Sequence, residues 1–310
     1  MERHAHCDGE VSVLSGLFAR KLNCSTSLRA ITTIAMPSFL RHFESLGDNC
    51  EFGFVLINNG IHDGGMFRWT MIRDFLPVSE AIDNGFENIY AFDNLTPCSP
   101  NMVRDKKTSI EFHTKMPIVA DGETFKFNAP KDKLLSVYYF EREKCFYLVE
   151  KFFRTLKQAS KIYVLKSTDQ PLAQVTVDTI LRSLRRHGDV SLLWICEADP
   201  AKPAGTVERL GDNLYKGFIS RFSQRLTIED IDVPSWLSVC EKTLEMHASM
   251  HGQFVEDADH QRPTQQPQEL PAWFDAKLYL LANPDVAEAG MDAGEHYLQH
   301  GWREGRLTRL

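Results

Sequence analysis

The chain has 310 residues, 43% of them hydrophobic, which is enough for one large domain and a small one with real cores. Its 35 Lys and Arg against 42 Asp and Glu leave a net charge of -7, and with no local basic cluster this excludes a general binder of nucleic acid or anionic membrane. Seven cysteines, at 7, 24, 50, 98, 145, 196 and 240, are odd in number and form no CxxC pair, so they predict reduced thiols in a cytoplasmic protein rather than a disulfide framework or a metal site.

In chain order, residues 1–35 lack the apolar core of a secretory signal and read as a weakly ordered extension, with Met36 as an alternative start. A short strand is expected over 39–47, then a tight turn, then a helix over 50–58 closed by Asn-Asn-Gly. Another helix is expected near 78–85. The segments 109–114 and 124–128 both alternate in the strand manner and predict a hairpin turning at Asp121-Gly122, with Pro117 pushing the first arm to an edge. Apolar residues at 145, 146, 148, 149, 152, 153 and 156 predict a helix over 141–158. Strand 161–166, helix 172–187 and strand 190–196 follow, with a further strand at 213–218 and a closing helix over 234–249.

Continuous apolar strands separated by a helix mark a parallel sheet covered on both faces. The expected fold is therefore an α/β domain over 36–250, its mostly parallel sheet flanked by helices. Residues 251–271, polar and rich in Gln and Pro, read as a linker, and 272–310 as a small all-α module. In that module Asn283 and Asp292 are placed to cap helices, and a core this small predicts docking on a protein partner. The longest apolar runs fall far short of the roughly 18 residues that span a bilayer.

Ligands of open α/β sheets bind beyond the carboxyl ends of the strands. Here those ends carry Gly47, Asp48 and Asn49, then Lys166, Ser167, Thr168 and Asp169, then Glu197 and Asp199. A helix N-terminus at Asn49-Cys50, with Arg68 and Lys166 nearby, suits an anionic group such as a nucleotide-sugar diphosphate. No glycine-rich phosphate loop accompanies it. The pair His247 and His251, four residues apart, reads as a surface pair without a third metal ligand, and His296 and His300 as packing residues. Neither a metal nor a cofactor is expected.

The blocks SLGDNCEFGFVLINNG, MFRWTMI, IEFHT and KIYVLKS resemble those of bacterial domains of unknown function described as papain-like cysteine peptidases, over about 40–240. This chain has Phe-Arg-Trp where that family commonly has Phe-Asp-Trp, and His-Thr where it tends to have His-Asp. The tail FDAKLYLLANPDVAEAGMDAGEHYLQHGWREGR is similar to modules appended to bacterial glycosyltransferases and other proteins of surface-polysaccharide clusters. The first resemblance implies a thiol hydrolase with Cys50 as nucleophile and His113 as base, acting on an unidentified small molecule, peptide or glycan. A helix N-terminus at Cys50 favours the thiolate. The expected hairpin sets Asn128 diagonal to His113, where it could orient the imidazole. The same nine residues share the Gly-Asp-x-x-x-x-Gly spacing of GDSL-type esterases, but Asn49 stands in place of their serine and removes that mechanism. Asp257 and His260, which imitate the late pair of such esterases, fall in the linker. The alternatives are a glycosyltransferase or nucleotide-sugar-binding protein and a non-catalytic interaction protein.

Overall fold

A computed structural model describes residues 38–227, 229–252, 254, 269–270 and 274–302, without the side chains of 278, 282 and 284. The extension 1–35, most of the linker and Trp273 lie outside the described residues.

A 3-10 turn, Ser38–His42, leads into β1 (Phe43–Ser45), which is shorter than the expected strand. Then come α1 (Glu51–Asn58), β2 (Thr70–Met71) and α2 (Leu76–Asp83). Five short strands follow: β3 (Leu95–Ser99), β4 (Met102–Asp105), β5 (Glu111–His113), β6 (Ile118–Asp121) and β7 (Thr124–Phe127). The long helix α3 (Lys131–Gln158) precedes β8 (Ile162–Leu165), α4 (Gln174–Arg185) and β9 (Ser191–Glu197). A strand pair, β10 (Val207–Arg209) and β11 (Leu214–Ile219), leads to α5 (Val233–His251).

The main sheet has the order β1-β8-β9-β11-β10, parallel throughout except for the edge strand β10. Its central strands alternate between two cores, as period-2 geometry requires of a sheet covered on both faces. Ile162, Val164, Leu193 and Ile195 pack with α1 and α5 around the fully buried Trp236. Tyr163, Leu165, Leu192 and Trp194 pack on the other face with side chains of α2, α3 and α4. The protein is thus α/β, with a mostly parallel sheet flanked by helices.

A second, antiparallel sheet has the order β2-β5-β4-β3 and was not foreseen as a unit. It corrects the expected hairpin. The arms that pair across Gly122-Glu123 are β6 and β7, in the register Ile118↔Phe127 to Asp121↔Thr124, with Gly122 at φ 64°. Strand β5 belongs instead to the four-stranded sheet, where His113 lies opposite Met102.

The C-terminal helices are α6 (Ala276–Ala282), α7 (Pro284–Glu288) and α8 (Ala293–His296), the last running into a π turn at Tyr297–Gly301. They bury a small core of Tyr279, Val286, Ala293 and Tyr297. Asp292 caps α8 through Glu295 N at 2.8 Å, as its spacing predicts. Asn283 stands at the N-cap of α7, yet its side chain turns back to donate to Tyr279 O at 2.8 Å. His296 is buried, its Nδ1 2.7 Å from the Tyr279 hydroxyl, so packing is its role. Lys277 pairs with Glu143 of α3.

Candidate active site

The carboxyl end of β1 runs straight into a turn with two left-handed residues, Gly47 at φ 97° and Asp48 at φ 78°. Gly47 is required there, because a Cβ would lie 2.5 Å from Ile72 Cδ1. Asp48 tolerates the conformation because both of its carboxylate oxygens are bound. Thr168 N donates to Oδ1 at 3.0 Å, Thr168 Oγ1 donates to Oδ2 at 2.7 Å, and Lys166 Nζ pairs with Oδ2. Asn49 then starts α1: its Oδ1 accepts from Glu51 N at 3.0 Å while its Nδ2 donates to Thr168 Oγ1 at 3.1 Å. Glu51 is fully buried, 3.2 Å from Lys166 Nζ, and its Oε1 accepts from Trp236 Nε1 at 3.1 Å.

This polar cluster holds the turn so that Cys50 occupies the N-cap position of α1, with its carbonyl accepting from Phe54 N at 3.0 Å and its thiol partly exposed. Cys50 Sγ lies 3.9 Å from His113 Nε2, although 63 residues separate the two. The imidazole comes from the end of β5. The chain just past it is clamped by Glu141 of α3, which accepts from Thr114 Oγ1 at 2.7 Å, Lys115 N at 2.6 Å and the Tyr90 hydroxyl at 2.9 Å. His113 reaches the surface, but the protein around it lowers its pKa below the ordinary histidine value by desolvation. It is therefore neutral at pH 7 and able to accept a proton.

The other described cysteines differ in setting. Burial pushes the Cys98 thiol, next to the Glu111 carboxylate, up to about 12 and the Cys145 thiol up to about 12. Burial raises Cys196 and Cys240 as well. These four stay protonated at neutral pH and make poor nucleophiles.

The structure separates the remaining candidates. Asn128 lies just beyond β7, where its backbone N–H donates to Pro117 O at 2.8 Å, and the register that would have set it beside His113 does not exist. Arg68 is 1% exposed and makes a two-pronged pair with Glu44, Nε to Oε1 at 3.2 Å and Nη2 to Oε2 at 3.0 Å, while Nη1 donates to Ile61 O at 2.9 Å. Lys166, also 1% exposed, serves Asp48 and Glu51. Both cations expected to meet an anionic ligand are committed to internal carboxylates. Gly47 and Asp48 shape the turn rather than face a cleft. Glu197 is exposed at the end of β9 and accepts from Phe222 N at 2.8 Å.

Glu51, Trp236 and Glu141 had no role assigned from the sequence, and Thr168 was marked only as part of a strand end that meets ligand. Only Thr168 carried a signal, its place at a strand end beside Lys166. The expected surface pair on α5 is corrected too: His247 is 7% exposed, its Nδ1 3.3 Å from Ser191 Oγ, and it stacks on His251 and Phe254. Among the described residues no group of three His, Cys, Asp or Glu side chains could hold a metal ion, and no helix is long and apolar enough to cross a membrane.

No protein-family model, curated protein or solved structure matches this chain.

Proposed function

We propose that this protein is a thiol hydrolase of acyl substrates, in which Cys50 is the nucleophile and His113 the general base. The observation that carries the reading is the 3.9 Å approach of Cys50 Sγ to His113 Nε2, made by a helix N-terminus and a strand end from different sheets. A sulfur–imidazole contact slightly long at rest is ordinary for such pairs and tightens when substrate binds. In the reaction His113 Nε2 takes the thiol proton as Sγ attacks the acyl carbon. The imidazolium then returns that proton to the departing amine or alcohol, leaving a thioester that water hydrolyses with His113 again accepting a proton. For Nε2 to accept, Nδ1 must carry the ring proton. The orienting group is not Asn128. The nearest structural support is the Glu141 clamp on the chain past His113.

The similarity of the tail to modules of surface-polysaccharide proteins supports a role among such proteins, with the C-terminal helices as the part that docks on a partner, and the cysteine pattern supports a bacterial cytoplasmic setting. The nucleotide-sugar alternative lacks the two cations expected to meet its diphosphate, because Arg68 and Lys166 pair with internal carboxylates.

Alkylation by iodoacetamide, read residue by residue by mass spectrometry from pH 5 to 9, tests the reading. Cys50 should react ahead of the half-buried Cys98 and Cys196 and the buried Cys145 and Cys240, and His113→Ala should slow it tenfold or more near pH 7, within the range of general-base effects. Because His113 is held below the ordinary histidine value, the wild-type rate should fall only as pH drops through that lowered value. Cys50 labelling that is no faster than Cys98, or that ignores His113→Ala, overturns the proposal.

A further inference from the structure

The outer face of the antiparallel sheet carries an arginine pair beside the Cys50–His113 contact. On β5 the alternation of side chains puts Glu111 and His113 on one face, separated by two residues and hence about 7 Å along the strand. Arg104 lies directly opposite Glu111 on β4, and Met71 lies opposite it on β2, with Arg73 two residues beyond. Glu111 is buried and collects both guanidinium groups. Arg104 donates to Oε1 through Nε at 3.1 Å and Nη2 at 2.6 Å, while Arg73 Nε sits 3.6 Å from the same oxygen. Arg73 also bridges to Asp169, past the end of β8, through Nη1 at 2.6 Å. Despite these anchors the two side chains remain 47% and 57% exposed. Glu111 therefore fixes the Nε–Nη2 edge of Arg104 and leaves its Nη1 toward solvent, while Arg73 is held by Nε near Glu111, Nη1 on Asp169 and Nη2 on Met71 Sδ at 3.3 Å.

We infer that Arg104 and Arg73 form a subsite for a carboxylate of the acyl substrate, about two residues from the bond cleaved, so that the enzyme prefers acidic peptides. This rests on the thiol-hydrolase reading. Guanidinium forks suit a carboxylate because their planar N–H pairs match its two oxygens. Pre-anchoring on Glu111 removes most of the side-chain entropy that an exposed arginine would otherwise lose on binding. Glu111 also keeps two like charges together in the absence of substrate. Asp169, itself exposed, is the counter-ion that an incoming carboxylate would replace on Arg73.

The test compares two reagents on the full chain, bromoacetyl-glutamate and bromoacetyl-glutamine amide. In each case the Cys50 Sγ–C bond forms as the C–Br bond breaks, bromide leaves with the electron pair, and the thiol proton passes to His113. The acidic reagent should alkylate Cys50 about tenfold faster at low concentration, the value of one charge-assisted hydrogen bond. Arg104→Gln should remove most of that preference and leave the neutral reagent unchanged; Arg73→Gln, which also cuts the bridge to Asp169, should remove part of it, read as the ratio of the two reagents' rates. Equal rates for the two reagents in the wild type, or a preference that survives both substitutions, overturns the subsite. If Cys50 is slow with both reagents, the hydrolase reading fails instead. Binding of unreactive N-acetyl-glutamate to Cys50→Ala protein then decides the subsite by itself: saturable binding lost in Arg104→Gln supports it, and no binding overturns it.

Discussion

Replacing Lys166 by Met probes whether the cluster under Cys50 is scaffold or ligand site. Methionine keeps the length and apolar body of the side chain, so the change removes little besides the ammonium group. That group is 1% exposed and faces Asp48 and Glu51, which are 6% and 0% exposed, and it donates to Thr168 Oγ1 at 2.9 Å. Removing one partner of a buried ion pair costs about 3–5 kcal/mol, because the survivor keeps its desolvation penalty without its counter-charge. Two carboxylates are stranded here, which argues for the upper part of that range. The Thr168 donors on Asp48 and the Trp236 donor on Glu51 remain, which argues against exceeding it. The expected loss is therefore about 4 kcal/mol, a large share of the roughly 5–15 kcal/mol that holds a typical protein folded. Urea denaturation followed by tryptophan fluorescence measures it, with an unchanged m-value if only the native cluster is affected. Adding Glu51→Gln to Lys166→Met should restore part of the loss, since one stranded charge is gone. A loss under about 1 kcal/mol would refute the reasoning, because a cation that can be deleted so cheaply is not neutralising buried carboxylates. Lys166 would then again be a candidate for binding an external anion.

Two further outcomes follow from the same physics. Gly47→Ala forces a Cβ at φ 97° to within 2.5 Å of Ile72 Cδ1, and should cost about 1–3 kcal/mol in the same denaturation assay. Part of this should return with Ile72→Val, and a change within 0.5 kcal/mol of wild type would show that the turn is looser than described. Burial lowers His247 to about 4, aided by His251, and His42 likewise to about 4. The unfolded chain binds more protons than the folded one between about pH 6.5 and 4, so this stabilisation is complete above 6.5 and is lost as pH falls toward 4. For His247 the ceiling is about 3 kcal/mol, reduced by its coupling to the other histidines. His247→Phe should flatten the decline of urea midpoint over that interval, and parallel wild-type and variant curves would remove His247 as its source.

The parallel sheet was legible because β8 and β9 are unbroken apolar runs, and double coverage is the only way to bury both faces of such strands. The antiparallel sheet was not, since β3 holds Pro97 and polar neighbours, which it can do only as an edge strand, and β5 has three residues. Alternation marked 109–114 and 124–128 as strands but said nothing of their partners, and the nearest pairing in sequence was the wrong one. Helix α3 begins ten residues before the expected start, and its first turns bury Leu134 and Tyr138 at i, i+4 spacing, a continuation of the stripe that the expected helix stopped short of. The roles of Arg68 and Lys166 were hidden for a different reason. Charge at a strand end reads the same whether it meets solvent, ligand or a buried carboxylate, and their partners Glu44 and Asp48 lie 24 and 118 residues away.

Cys50 and His113 were each placed on the right kind of element, a helix start and a strand end, by local pattern alone. What brings them together is the seam between the two sheets. Ile72 N donates to Asp48 O at 3.2 Å, tying the end of β2 to the turn after β1. On the thiol side the turn is held by Asp48, Thr168, Lys166 and Glu51; on the imidazole side the strand exit is held by Glu141. A chance surface contact between a cysteine and a histidine has no need of buried ion pairs behind one partner and a three-donor carboxylate behind the other. Both supports cost desolvation that an apolar packing would avoid, and such cost is tolerated where a defined geometry is needed. That balance argues for a constructed thiol–imidazole pair, and it makes the loss of Cys50 reactivity in Lys166→Met or Glu141→Ala, with the fold retained, the outcome most specific to it.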